Sequence, residues 1–92
     1  MAGFYKAEAE VLVDGVVVTV TEAVLSVQGT AEAQHWGGVL QADPHDDLIP
    51  IHEAGERFIR LTNGNVGRFD LLPSADLGNG FLPISGVGAP PF

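Results

Sequence analysis

Cysteine is absent, which removes disulfide staples, thiolate metal ligands and thiol nucleophiles from consideration. Positive charge is nearly as scarce: Lys6, Arg57, Arg60 and Arg68 stand against twelve carboxylates, for a net charge of −8. A surface of that sign repels phosphate backbones and anionic headgroups, so neither nucleic acid nor a membrane is an expected partner. No apolar run approaches the ~20 residues of a membrane span, and nothing ahead of Lys6-Ala7-Glu8-Ala9-Glu10 resembles a secretory signal. The chain therefore reads as soluble and cytoplasmic. Sustained helical periodicity is also missing, since glycine or proline interrupts every window after Gly29.

What is present is β chemistry. The 92 residues are 46% hydrophobic, enough for one core, and form a single domain spanning 1–92. Tyr5 to Val27 contains two β-branched runs around Asp14-Gly15, a dipeptide that supplies the positive φ angles of a tight hairpin. A two-residue loop sets Val13 against Val16, Val11 against Val18 and Ala9 against Val20, with Glu8 and Glu10 facing Thr21 and Thr19 on the other side. Extending that register puts Glu22 on the apolar face, so a bulge or bend is expected there. A third, irregular strand is expected within Thr30 to Ala42, where Trp36-Gly37-Gly38 marks a bulge or a ring lying over bare backbone.

Asp43 to Asp47 has turn composition, and Pro50 confines Leu48 to Ile51 to an edge strand or a position outside the sheet. A second hairpin joins Glu56 to Leu61 and Val66 to Leu72 through Asn63-Gly64-Asn65; a two-residue loop would set Ile59 against Arg68, but a three-residue loop with a bulge, Ile59 against Phe69 and Arg57 against Leu71, is expected because it pairs the apolar residues. Phe81 to Val87 is the last strand. No helix is expected beyond a single turn near Asp46-Asp47 or Ser74-Ala75-Asp76. Five to seven short strands with two tight hairpins bury their apolar faces best as a small antiparallel β-barrel. The alternative is a two-sheet β-sandwich.

Candidate chemistry is thin. His35, His45, Asp46, Asp47, His52 and Glu53 are ligand-type residues, but their spacing matches no established metal site, and none is expected. No serine sits in a nucleophile-elbow context, no carboxylate pair stands out among so many, and no helix follows Gly78-Asn79-Gly80 to make a phosphate cradle. No catalytic residue and no cofactor is assigned. Trp36, Phe58 and Phe69 are candidates to line a small-molecule pocket, with Arg57, Arg60 or Arg68 orienting an acidic group. The commoner outcome for such arginines is pairing at the surface, here with Glu56, Asp70 or Glu53. Pro90-Pro91-Phe92 is stiff, extended and aromatic at its tip, suited either to a partner's groove or to plugging one end of the barrel.

Tyr5 before an alternating strand, Asp14-Gly15, Trp36-Gly37, Leu61 to Gly67 and the closing Gly86-Val87-Gly88-Ala89-Pro90-Pro91-Phe92 together resemble a small uncharacterised bacterial β-domain, found alone or appended to flavin-dependent monooxygenases. The resemblance spans most of the chain and rests on fold-determining residues. It implies an accessory or interaction module and carries over no catalytic residue. The expected function is accordingly that of a non-enzymatic β-barrel module acting by self-association, as a homo-oligomer, or by docking on a larger protein through the barrel edge or the Pro90-Pro91-Phe92 tail. The alternatives are a small-molecule binding barrel and a structural subunit of a phage or secretion assembly.

Overall fold

Six strands make a closed antiparallel barrel in the computed structural model, which describes residues 3–29 and 34–92. In chain order they are β1 (Phe4–Val13), β2 (Val16–Gln28), β3 (His35–Gln41), β4 (Arg57–Leu61), β5 (Val66–Leu71) and β6 (Phe81–Val87). A short helix, α1 (Ile49–Glu53), precedes β4, and a 3-10 turn at Leu77–Asn79 precedes β6. The barrel order is β1-β2-β3-β6-β5-β4. Two three-stranded meanders thus close on each other through the β1–β4 and β3–β6 pairings. Closure excludes the sandwich, because every strand has a neighbour on both sides over part of its length.

The first hairpin turns at Asp14 (φ 54°) and Gly15 (φ 77°) and begins in the expected register, Val13 opposite Val16. It then departs from expectation. The register shifts between Val11 and Leu12, so that Val11 faces Thr19 and Ala9 faces Thr21. The bulge lies at Val17-Val18, next to the turn, and not at Glu22. One inserted residue reverses the facing of everything beyond it. Thr19 and Thr21 become buried, Val20 is left 49% exposed, and Glu22 points outward opposite Glu8. Both buried hydroxyls are satisfied: Thr21 donates to the Ala9 carbonyl (3.2 Å) and Thr19 to Asp46 Oδ2 (2.7 Å). Turning threonines inward removes the conflict at Glu22, since a carboxylate in the barrel would need a buried partner and a threonine needs only one nearby acceptor.

The second hairpin also differs from its expected register. Arg57 faces Phe69, Phe58 faces Arg68 and Ile59 faces Gly67, with the Leu61 amide bonded to the Asn65 carbonyl around the turn. The pairing of Ile59 with a glycine is explained from the far side of the barrel. The Trp36 ring and the Pro91 ring cover Gly67, and a Cβ there would lie 3.0 Å from Trp36 Cζ2 and 2.9 Å from Pro91 Cγ. Gly86 is more restrictive, since a Cβ at that position would fall among the indole atoms of Trp36. The ring therefore lies over bare backbone on β5 and β6. Its neighbours Gly37 and Gly38 serve a different purpose, letting β3 approach the Ile84 and Val24 carbonyls more closely than any side chain permits.

The core comprises Val11, Leu25, Trp36, Leu40, Ile51, Ile59, Phe69 and Leu82, all at most 1% exposed, with smaller residues between them. Of the two placements expected for Leu48 to Ile51, the one outside the sheet is found, and the correction is that the segment forms helix α1 where no more than a single turn near Asp46-Asp47 is expected. Pro50 sits in its first turn, where the missing N–H costs nothing and the fixed φ suits a helix. Leu48 and Ile51 drop into the core and close the barrel end that carries the Asp14-Gly15 turn. The third strand begins at His35; the remainder of its expected range, 30–33, lies outside the described residues.

Candidate interaction surface

The proposed pocket residues do not converge. Trp36 and Phe69 are each 1% exposed within the packed core, while Phe58, alternating with buried Ile59, lies on the outer wall between Leu12 and Arg68. The arginines are dispersed as well. Arg60 pairs with Glu10 of β1 (2.6 Å) and Arg68 with Glu56 (3.3 Å). Arg57 points to the barrel end, where its Nε donates to the Ile51 carbonyl and its Nη2 to the His52 carbonyl (3.0 Å), capping the C-terminus of α1.

The tail folds back on the end opposite α1. Pro91 is buried against Gly67, and its carbonyl accepts from Asn65 Nδ2 (2.9 Å) and Asn63 Nδ2 (3.3 Å). Phe92 packs edge-on to Trp36 and tilted against Tyr5, both at 6.2 Å between ring centroids. Trp36 Nε1 donates to the Gly88 carbonyl (3.2 Å), so the sole tryptophan and the tail hold each other. The tail is thus folded back as a plug on this end of the barrel.

The ligand-type residues also stay apart. Among the described residues, no group of three or more His, Asp or Glu side chains is arranged to hold a metal. His45 caps its own turn through Asp43, whose carboxyl is held below the usual range by the His45 amide and then by the imidazole. His35 Nε2 meets Ser85 Oγ at 3.3 Å. The contact lies at the surface of the barrel. A shallow groove of about 240 Å³ runs beside this pair over Gly37 and Gly38, between Gln28 and Leu72. A second depression, of about 170 Å³, lies between Glu8, Glu10, Val20, Arg60 and Thr62.

The feature that stands out is the first half of β1. Odd-numbered residues of β1 exchange ladder bonds with β2, as the Val27 amide to Gly3 carbonyl bond (2.9 Å) at the end of the ladder shows. Even-numbered residues therefore direct their N–H and C=O to the other side. From Ala9 to Leu12 that side is occupied by β4, but β4 ends at Leu61, opposite Ala9. One residue further on the ladder is completed by a side chain: the Tyr5 hydroxyl donates to the Glu8 carbonyl (2.7 Å) and accepts from the Thr62 amide (3.1 Å). Beyond that bridge the N–H and C=O of Phe4 and of Lys6 have no partner among the described residues. Phe4 is 62% exposed beside them. The barrel is closed at its waist and open along this overhang.

Alternation predicts none of this directly. The available signal was the mismatch in length, a long first hairpin against a short second one, which leaves part of β1 with nothing to pair with. No protein-family model, no curated protein and no solved structure matches the chain.

Proposed function

We propose that this chain is a non-enzymatic interaction module that docks by strand addition at the overhang of β1, from Phe4 to Glu8. The observation that carries the reading is that the N–H and C=O of Phe4 and Lys6 have no partner among the described residues of an otherwise closed barrel. Natural sheets shield such edges with charge, proline or a covering loop, and an unshielded one is a template for another strand. Lys6 and Glu8 are the two charges on this stretch, and an exposed Phe4 stands beside Lys6. The resemblance described above agrees with an accessory role beside a larger enzyme. A structural subunit of a phage or secretion particle would use the same edge. A small-molecule barrel is disfavoured, since Trp36 and Phe69 are packed and the arginines already have partners.

Selection of a random peptide library on the immobilised chain tests the reading. Peptides of alternating polarity should be recovered, and their binding should be lost in Lys6→Pro. That substitution removes an outward N–H and leaves the β1–β2 ladder whole. Recovery of no peptide, or of peptides indifferent to Lys6→Pro, would refute strand addition.

A further inference from the structure

We infer that the strand accepted at this edge is β1 of a second copy, paired antiparallel about Tyr5 so that Phe4 lies opposite Lys6 of the partner subunit. The inference rests on the strand-addition reading and names its occupant.

The register follows from which backbone groups are free. In a two-fold antiparallel pair only the outward-directed, even-numbered residues can exchange bonds with one another. Centring on Tyr5 joins the N–H and C=O of Phe4 to the C=O and N–H of Lys6 of the partner subunit, and the two-fold axis repeats the exchange. Each orphaned group of Phe4 and Lys6 is then satisfied. Centring on Lys6 opposes two lysines and asks for the Glu8 carbonyl, which the Tyr5 hydroxyl already holds. Centring on Ala7 brings Lys6 to Glu8 of the partner subunit with the right charges, but it needs the same occupied carbonyl and leaves Phe4 unpaired. The turn at Thr62 and Asn63 also stands at that end of the edge. Among the described residues, only the Tyr5-centred register pairs the free groups of Phe4 and Lys6 with each other and asks for no occupied group.

The side chains agree with it. On the outer face Phe4 and Lys6 become cross-strand neighbours twice over, placing each ammonium beside an aromatic ring that is 62% exposed in the single chain. The sheet would run without a break from β2 through β1 into the second copy. The contact is short, so association is weak, and each copy brings a net charge of −8 to it. Screening that repulsion should strengthen the dimer. A Lys6–Glu8 register would add exposed ion pairs that salt weakens, so loosening by salt would point to that register instead.

Sedimentation equilibrium of the full chain up to about 1 mM, the range suited to so small an interface, tests the assignment. The expected result is a monomer–dimer equilibrium that tightens with added salt, is abolished in Lys6→Pro, and weakens about tenfold or more in Phe4→Lys, which sets lysine against lysine. Phe4 and Lys6 amide exchange should slow as concentration rises. A monomer at every concentration would overturn the inference, and if library peptides still bound the edge, strand addition would survive with a different occupant. A dimer untouched by both substitutions would show another surface in use. A dimer loosened by salt would overturn the register.

Discussion

Tyr5 shows how one hydroxyl decides where a sheet stops. It stands between the Glu8 carbonyl and the Thr62 amide, accepting from one strand's neighbour and donating to the other, so β1 and β4 can splay without orphaning either group. Tyr5→Phe keeps the ring against Phe92 and removes only the bridge; a loss of about 1 kcal/mol in urea unfolding is expected, because water reaches both groups. Gly86 is governed by space instead. Gly86→Ala pushes a methyl into the Trp36 indole, and we expect destabilisation of about 3 kcal/mol, read as a drop in the urea midpoint with an unchanged slope. The inward threonines show what single residues conceal. Alternation from the Asp14-Gly15 turn assigns Val20 to the core, and only knowledge of the bulge at Val17-Val18 reverses that. A bulge has no compositional mark in a run of valines, whereas the turn that starts the hairpin is written in two residues.

Among the elements, the strands were legible and the helix was not. Val16 to Gln28 and Phe81 to Val87 follow from β-branched content and flanking glycines. Helix α1 has five residues and a proline, too short for periodicity to register and easily taken for a broken strand. Its stability comes from tertiary partners: Leu48 and Ile51 in the core, and the Arg57 guanidinium on its last carbonyls. Arg57→Met should therefore loosen α1 by about 1–2 kcal/mol. Faster amide exchange at Ile51 and His52, with β4 unaffected, is the measurement that would show it. Sequence placed Arg57 among candidate ligand-binding residues because cations on a hairpin suggest a charged ligand. The backbone carbonyls that engage it are invisible to any reading of side chains. The overhang of β1 escaped for a related reason, since an edge is a relation between strands of unequal length and belongs to no one residue.

At the scale of the molecule, α1 closes one end of the barrel and the returning tail closes the other. Removing Pro90 to Phe92 strips the cover from Trp36 and Gly67 and frees Asn63 and Asn65. Burial of this size is worth about 2 kcal/mol or more, so calorimetry should find Tm lowered by roughly 10 °C. An unchanged Tm would mean that the plug contributes nothing to stability. The closed architecture itself was within reach of sequence, because two tight hairpins and a handful of short strands leave few other ways to bury both apolar faces.

Because Trp36 is the chain's sole tryptophan and lies directly beneath Phe92 and Pro91, the fold contains its own optical probe. Detachment of the last residues would wet the indole while the strands stayed paired. A red shift of its emission below the melting transition would therefore report opening of that lid, with no label attached.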